Sequence, residues 1–277
     1  MSKNNYYALV AGLKEYTLES EKRGFSLKDI LSEIEEEVSP ADFRSVSLLY
    51  NFFDCENIIA FRSGSSTYNS LGLLQKDKIE DEIKEPVLLP EALWRTIRAF
   101  DNPEGEEAED VDTTRPFDTA LFTAYYNMLA VSESSFLRKW GLFDRIIRNV
   151  QAGTIARRKG AALADVMTGD DELFVTMSSS SAQDFSIRSE YSFVDELIQI
   201  LSEERNLLEK ERRLDSIRLK EIDEMVEYDY FNMNYVLAYL CKLNIISRWM
   251  KLDPQTGREM LDEMLQGFDA KEKISKI

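Results

Sequence analysis

The stretch Tyr228–Asp253, YDYFNMNYVLAYLCKLNIISRWMKLD, decides the fold class of this 277-residue chain. Its apolar side chains recur at intervals of three and four residues, which is the spacing of one face of an α-helix. This face consists of Val236, Tyr239, Leu240, Leu243, Ile246 and Met250. Such a face has to be buried against other helices, so the stretch predicts a helical bundle.

Helical patterns with start signals occur along the rest of the chain. Ser26 is placed to cap a helix from Leu27 to about Val38, and Ser39-Pro40 precedes a second helix with Asp42 in its first turn. Further helices are predicted after Pro90, after Pro116, after Ser132 or Ser134, and from Ser202 to Met225. Asp253-Pro254 ends the helix of the Tyr228–Asp253 stretch, and a short helix from about Thr256 to Gln266 follows it. We therefore expect an all-α, multi-helix bundle that forms a single domain over residues 1–277.

Two stretches differ from this pattern. Residues 101–115 contain seven acidic residues, and their one large apolar side chain is Val111. A segment of this kind buries too little surface to offset the entropy lost on ordering, so we expect a mobile acidic loop. Residues 177–186 include a serine run, and we expect a Ser-rich insertion that acts as a loop or linker.

The composition excludes several classes of function. The formal net charge is −17, with 51 acidic and 34 basic residues, and such a surface repels nucleic acid. The chain has no histidine, which removes Ser-His-Asp and Cys-His nucleophiles and histidine-bearing metal sites. Its two cysteines, Cys55 and Cys241, are far apart and lie in apolar runs, so we expect both to be buried hydrophobic side chains.

Three further patterns carry little chemistry. Glu221, Glu224 and Glu227 share a helix face, but carboxylate metal sites in helical bundles normally include histidine, so a solvated face is favoured. The Gly64–Thr67 loop lacks the lysine of a P-loop. The serines Ser178–Ser181 have no candidate base at a defined spacing. We assign no catalytic, cofactor-binding or metal-binding residue, although an enzyme using carboxylates and lysine on a bound metal stays open as a minor alternative.

A basic segment stands out in this acidic chain. Between Arg138 and Lys159 there are seven basic residues and a single acid, Asp144. A local reversal of charge suits an acidic protein surface or anionic lipid headgroups, whereas the alternative is an ordinary solvated helix face. The candidate partner-binding residues are Arg145, Arg148, Arg157, Arg158 and Lys159.

The hydropathy pattern bears on localisation. No run approaches the roughly 20 apolar residues of a membrane-spanning helix, and the apolar stretch Tyr6–Leu13 is short for a signal peptide. We expect a cytoplasmic protein in which any membrane association is peripheral.

Two segments resemble a known family. Asn5–Leu13, NYYALVAGL, and Tyr228–Asp253 resemble the two ends of an uncharacterised bacterial family whose genes lie among those for V-type ATPases, with a looser match over Phe143–Lys159. That family is distantly similar to the funnel-shaped central-stalk subunit of these rotary enzymes. The resemblance implies three similar helical units around a pseudo-threefold axis. The sequence also contains a weak internal repeat. It aligns Phe143-Asp144 with Tyr228-Asp229 and Asn149 with Asn234, each at the start of a helix-like run.

The resemblance also implies a function. In V-type ATPases the base of the funnel lies on the membrane proteolipid ring, and its socket receives the tip of the rotating axle subunit. The chain would then be a non-catalytic, funnel-like component of the central stalk, peripheral to the membrane and without cofactors. The acidic loop and the Ser-rich insertion depart from the ordinary funnel-shaped subunit. The competing interpretation is a free-standing helical scaffold or regulatory protein-binding module.

Overall fold

A computed structural model describes residues 5–20, 25–203 and 206–251, and these ranges form an all-helical fold without β-strands. The bundle predicted from the helical periodicity is therefore confirmed. The α-helices are α1 Tyr7–Gly12, α2 Leu27–Glu37, α3 Pro40–Arg62, α4 Ile79–Lys84, α5 Glu91–Asp101, α6 Phe117–Ala130, α7 Ser135–Lys159, α8 Glu172–Ser179, α9 Phe193–Glu203, α10 Leu207–Met225 and α11 Met233–Lys251.

The predicted caps start three of these helices. The Ser26 hydroxyl accepts the Asp29 amide at 3.3 Å, and the Ser39 hydroxyl accepts the Asp42 amide at 3.1 Å. Ser134 caps α7 in the same way. Each hydroxyl satisfies an amide that has no partner within its own helix, which fixes where the helix begins.

The helix predicted over Ser202–Met225 is interrupted. Helix α9 ends at Glu203, and α10 begins at Leu207, because Asn206 caps it by accepting the Leu208 amide at 2.9 Å. Leu207, the first residue of α10, is exposed. The predictions for Asp253-Pro254 and for Thr256–Gln266 lie outside the described residues.

The core forms where α6, α7 and α11 meet α3. The predicted face of α11 is buried from Val236 to Ile246, and Met250 is half-buried. Cys55 and Cys241 are also buried, as predicted. Glycine permits two close approaches on α7: a Cβ at Gly141 would lie 2.8 Å from the Leu129 Cβ, and one at Gly153 would meet Met167 and Phe185.

The acidic stretch carries a short 3₁₀ turn, Glu106–Ala108, that packs against α5. The first residue of the stretch, Asp101, is the last residue of α5 and pairs with Arg62 at 2.7 Å. The expected mobility of residues 101–115 stays a prediction.

The Ser-rich stretch differs from a plain linker. Helix α8 continues through Ser179, so residues 177–179 are helical where a loop was predicted. Met177 and Phe185 are fully buried, and these two anchors hold the serines between them against the body of the protein.

The two segments that carry the family resemblance meet in space. The Tyr6 amide donates to the Phe231 carbonyl at 2.6 Å, and the rings of Tyr7 and Phe231 lie 4.7 Å apart. An isolated antiparallel bridge joins Asn5 to Asn232. The segment before α11 is thereby tied to the start of the described chain.

Buried asparagines connect the long helices to other segments. Asn149 on α7 binds both the amide and the carbonyl of Thr168, each at 2.8 Å. Asn57 on α3 binds the amide of Asn69 at 2.6 Å and its carbonyl at 2.9 Å. The expectation that Asn149, like Asn234, starts a helical run is wrong, because Asn149 lies within α7 whereas Asn234 is in the first turn of α11.

Candidate functional site

A cleft of about 430 Å³ opens between the long helices α3, α7 and α11, with α6 and α10 completing its wall. Its volume is within the range of ligand-binding and side-chain-binding pockets. It is lined by Leu49, Phe52, Phe53, Glu56, Asn69, Leu71, Tyr125, Trp140, Asp144, Arg148, Gln151, Asp215, Arg218, Cys241, Asn244, Ile245, Ser247 and Arg248.

Aromatic rings form much of the cleft wall. Phe52 makes edge-to-face contacts with Phe53, at a centroid distance of 5.5 Å, and with Tyr125, at 5.8 Å. Trp140 contributes from α7. Aromatic side chains have few rotatable bonds, and packed edge to face they give the cleft a rigid apolar surface.

Asp215 organises the α10–α11 side of the cleft. Its carboxylate is fully buried and accepts hydrogen bonds from the Arg218 Nη1 at 2.9 Å, the Trp249 Nε1 at 2.7 Å and the Arg248 guanidinium. Arg248 also lies 3.7 Å from Glu211. A buried carboxylate is stable only when donors such as these offset the loss of its hydration. The same hydrogen bonds fix the positions of Arg218 and Arg248.

Asp144 has a separate set of partners. Its carboxylate accepts the Tyr126 hydroxyl at 2.7 Å and lies 4.0 Å from the Arg218 Nε. Burial, and then the charge of Asp144, raise the pKa of Tyr126 well above its ordinary value. Tyr126 therefore stays protonated and acts as a hydrogen-bond donor at neutral pH.

Arg148 lies one helical turn after Asp144 and differs from the other arginines of the cleft. Its guanidinium lies over the Phe122 ring, 3.8 Å from the centroid, and 5.5 Å from the Phe52 centroid. Within the described ranges, no carboxylate is within ion-pair distance of it, and it donates no hydrogen bond. Arg148 is thus held by aromatic contacts while its N–H groups stay available.

The other polar groups of the cleft have neutral partners. Glu56 accepts a 2.8 Å hydrogen bond from the side-chain Nδ2 of Asn69, and the side-chain carbonyl of Asn244 accepts one from the Tyr50 hydroxyl at 3.0 Å. Burial raises the pKa of the Cys241 thiol well above its ordinary value, so the thiolate needed for nucleophilic chemistry is disfavoured.

The structure does not bring the five predicted partner-binding residues onto one surface. Arg145 is buried and pairs with Asp171 at 2.6 Å, and its assignment to partner binding stays a prediction. Arg148 faces the cleft. Arg157 donates to the carbonyls of residues 180 and 182, whereas Arg158 and Lys159 are exposed at the far end of α7.

The cleft residues that sequence reasoning missed are the charged ones on α10 and α11. Asp215 and Arg218 could not be singled out because α10 is dense in both charges and has the pattern of a solvated helix. The available signal is spacing, since Asp215 and Arg218 are three residues apart and lie beside the buried Leu214 and Ile217.

A second depression, of about 670 Å³, lies at the Ser-rich stretch. Two of its charged groups, Arg188 and Asp195, are exposed and already pair with each other at 2.8 Å. Apart from Asp195 on α9, its lining residues lie in turns and loops, so it offers less preorganisation than the cleft between the helices.

Metal-binding and membrane-spanning features are both missing from the described ranges. These residues contain no group of three or more histidine, cysteine, aspartate or glutamate side chains arranged to hold a metal ion. None of their helices has both the length and the apolar character required to cross a bilayer.

The model of one protein family matches residues 3–268, which is nearly the whole chain. The chain belongs to the DUF2764 family. That family is described as a protein of unknown function, so membership groups the chain with its relatives without assigning an activity. No curated protein and no solved structure matches the chain.

Proposed function

We propose that this member of the DUF2764 family is a non-catalytic component of the central stalk of a bacterial V-type ATPase, equivalent in place to its funnel-shaped subunit. In this role it couples the rotating axle subunit to the membrane proteolipid ring. It acts in the cytoplasm, and it is peripheral to the membrane through the complex. Nucleic acid, cofactors and metal ions are not ligands of the chain in this role.

One observation carries the proposal: three long helices, α3, α7 and α11, converge around an open cleft. A socket that receives the tip of an axle has to be concave, rigid and lined with groups that hold a protein surface. The aromatic wall and the two arginines fixed by Asp215 supply these properties. The sequence resemblance is the reason for proposing that this socket belongs to a V-type ATPase.

The asparagine pattern supports a fold built from similar units. Asn57 on α3 and Asn149 on α7 bind both polar groups of one backbone residue further along the chain, at Asn69 and Thr168. Asn244 on α11 also lies at the cleft, where Tyr50 donates to it. The same buried contact on α3 and α7 is what duplication of a helical unit would leave behind.

The meeting of the two end segments adds support. Asn5–Leu13 and Tyr228–Asp253 carry the resemblance, and their contact at Tyr6 and Phe231 joins them as one structural feature. Selection on a shared surface or a shared packing requirement would act on both segments together.

The experiment is reconstitution from purified parts. The chain is mixed with the axle subunit of a V-type ATPase from the same organism, with the detergent-solubilised proteolipid ring, and with both, and the mixtures are separated by size-exclusion chromatography with light scattering. We expect a binary complex with each partner and a ternary complex with both. A free-standing scaffold would bind neither, and gene order without rotary ATPase genes nearby would favour that competing interpretation.

A further inference from the structure

We infer that the cleft binds an acidic side chain presented by the tip of the axle subunit, and that the Arg148 guanidinium receives its carboxylate. This inference rests on the proposed function and adds to it the chemistry by which the partner is recognised.

Arg148 is preorganised for this contact. Its guanidinium is stacked on Phe122 at 3.8 Å and approaches Phe52, so the side chain is held without the use of its hydrogen-bond donors. A planar guanidinium offers a carboxylate two parallel N–H groups. Little conformational entropy is lost on binding when the side chain is already fixed.

The remaining arginines of the cleft are already compensated. Arg218 and Arg248 both donate to Asp215, and Arg218 also lies near Asp144. Asp144 in turn accepts the Tyr126 hydroxyl. Arg148 is therefore the cleft arginine with no carboxylate within ion-pair distance among the described residues.

The cleft favours a carboxylate over a phosphate. A group with two negative charges would leave one of them uncompensated at the single available arginine, beside the Glu56 carboxylate that lines the same cleft. The apolar walls at Phe53, Trp140 and Ile245 require apolar neighbours on the ligand. An aspartate or glutamate flanked by apolar residues at the end of a helix meets both requirements.

Glu56 provides an internal test of this electrostatic account. It lines the same cleft from α3, and its charge is bonded only to the neutral Asn69 amide within the described residues. An incoming carboxylate is repelled by Glu56 and attracted by Arg148. Neutralising the two residues should therefore change affinity in opposite directions.

The experiment measures the affinity of the full chain for the purified axle subunit by isothermal titration calorimetry. Arg148→Gln should weaken binding about tenfold or more, and Glu56→Gln should tighten it. Lys28→Gln, at an exposed position of α2 away from the cleft lining, is the matched control and should bind like wild type. Circular dichroism and melting temperature verify the fold, and Arg148→Lys, which keeps the charge but loses the planar fork, should lie between wild type and Arg148→Gln.

The outcomes distinguish a failure of the inference about Arg148 from a failure of the proposed function. Wild-type binding that Arg148→Gln and Arg148→Lys leave unchanged overturns the inference and leaves the proposed function in place. A wild-type chain that does not bind the axle subunit overturns both. Displacement of the axle subunit by a large excess of inorganic phosphate, in wild type but not in Arg148→Gln, would contradict the preference for a carboxylate.

Discussion

The indole Nε1 of Trp249 donates a 2.7 Å hydrogen bond to the Oδ2 of the buried carboxylate Asp215. This bond joins the last turns of α11 to the middle of α10. The Trp249 ring is half-buried, and this carboxylate is its specific polar partner. The contact fixes the Asp215–Arg218–Arg248 group that forms one side of the cleft.

Substitution of Trp249 separates packing from hydrogen bonding. Trp249→Ala removes both and should lower the free energy of unfolding by about 3 kcal/mol. Trp249→Phe keeps most of the ring contact and should cost about 1 to 2 kcal/mol, because a donor to a buried carboxylate is lost. Urea unfolding of both variants measures this difference. Equal losses for alanine and phenylalanine would show that the hydrogen bond dominates, and no loss in either would contradict the role given to Asp215.

Charge reversal should affect the two ends of α7 very differently. Arg145→Glu places a second acid beside Asp171 in a buried site and should cost more than about 3 kcal/mol. Lys159→Glu changes an exposed charge and should alter stability by less than about 0.5 kcal/mol. Chemical denaturation of the two variants under the same conditions provides the comparison. A stable Arg145→Glu variant would mean that the ion pair with Asp171 is dispensable.

The buried asparagine on α7 should be costly to remove. Asn149→Ala leaves the amide and carbonyl of Thr168 without partners and should lower the free energy of unfolding by about 2 to 4 kcal/mol. Asn127→Ala is the matched control, because Asn127 is exposed and bonds only to Asp170 among the described residues. Its effect should be below about 0.5 kcal/mol. Similar melting temperatures for the two variants would contradict the structural role of Asn149.

Glu82 should contribute to the acid sensitivity of the fold. Burial raises its pKa, but hydrogen bonds from the amides of Val87, Leu88 and Leu89 outweigh burial and hold the pKa below its ordinary value. Because the pKa of Glu82 is lower in the folded state than in the unfolded state, its ionised carboxylate stabilises the folded protein at pH values above the unfolded-state pKa. This stabilisation is lost as the pH falls through the folded-state pKa.

The measurement for Glu82 is urea unfolding of wild type and Glu82→Gln across the acid range. The variant should be less stable near neutral pH, by about 1 to 2 kcal/mol, because a charge-assisted acceptor is replaced by a neutral one. The difference should shrink as pH falls below the ordinary glutamate pKa. A constant difference at every pH would exclude linkage to the Glu82 proton.

Elements that follow from local chemistry could be predicted from the sequence. The caps at Ser26 and Ser39 and the buried face of α11 depend on residue type and spacing, so they require no tertiary information. The break at Asn206 could not be predicted, because charged residues run through the whole stretch and a capping asparagine looks like one more polar side chain.

The cleft was less predictable, because its charges come from distant parts of the chain. A run of basic residues on α7 has the pattern of one surface, yet helical geometry turns Arg145 toward Asp171 and Arg148 toward Phe122. Asp215 and Trp249 are 34 residues apart, and nothing local marks them as partners. Pairing across helices is a property of the fold, so it appears only when the helices are placed.

The central claim is that the chain occupies the stalk between axle and ring. The most direct measurement is electron cryo-microscopy of the V-type ATPase purified from native membranes through a tag on its axle subunit. The account predicts density for this chain between the axle and the proteolipid ring, with the axle tip in the cleft and an acidic side chain at Arg148. A complete stalk in which another protein fills that position, with no density for this chain, would contradict the account.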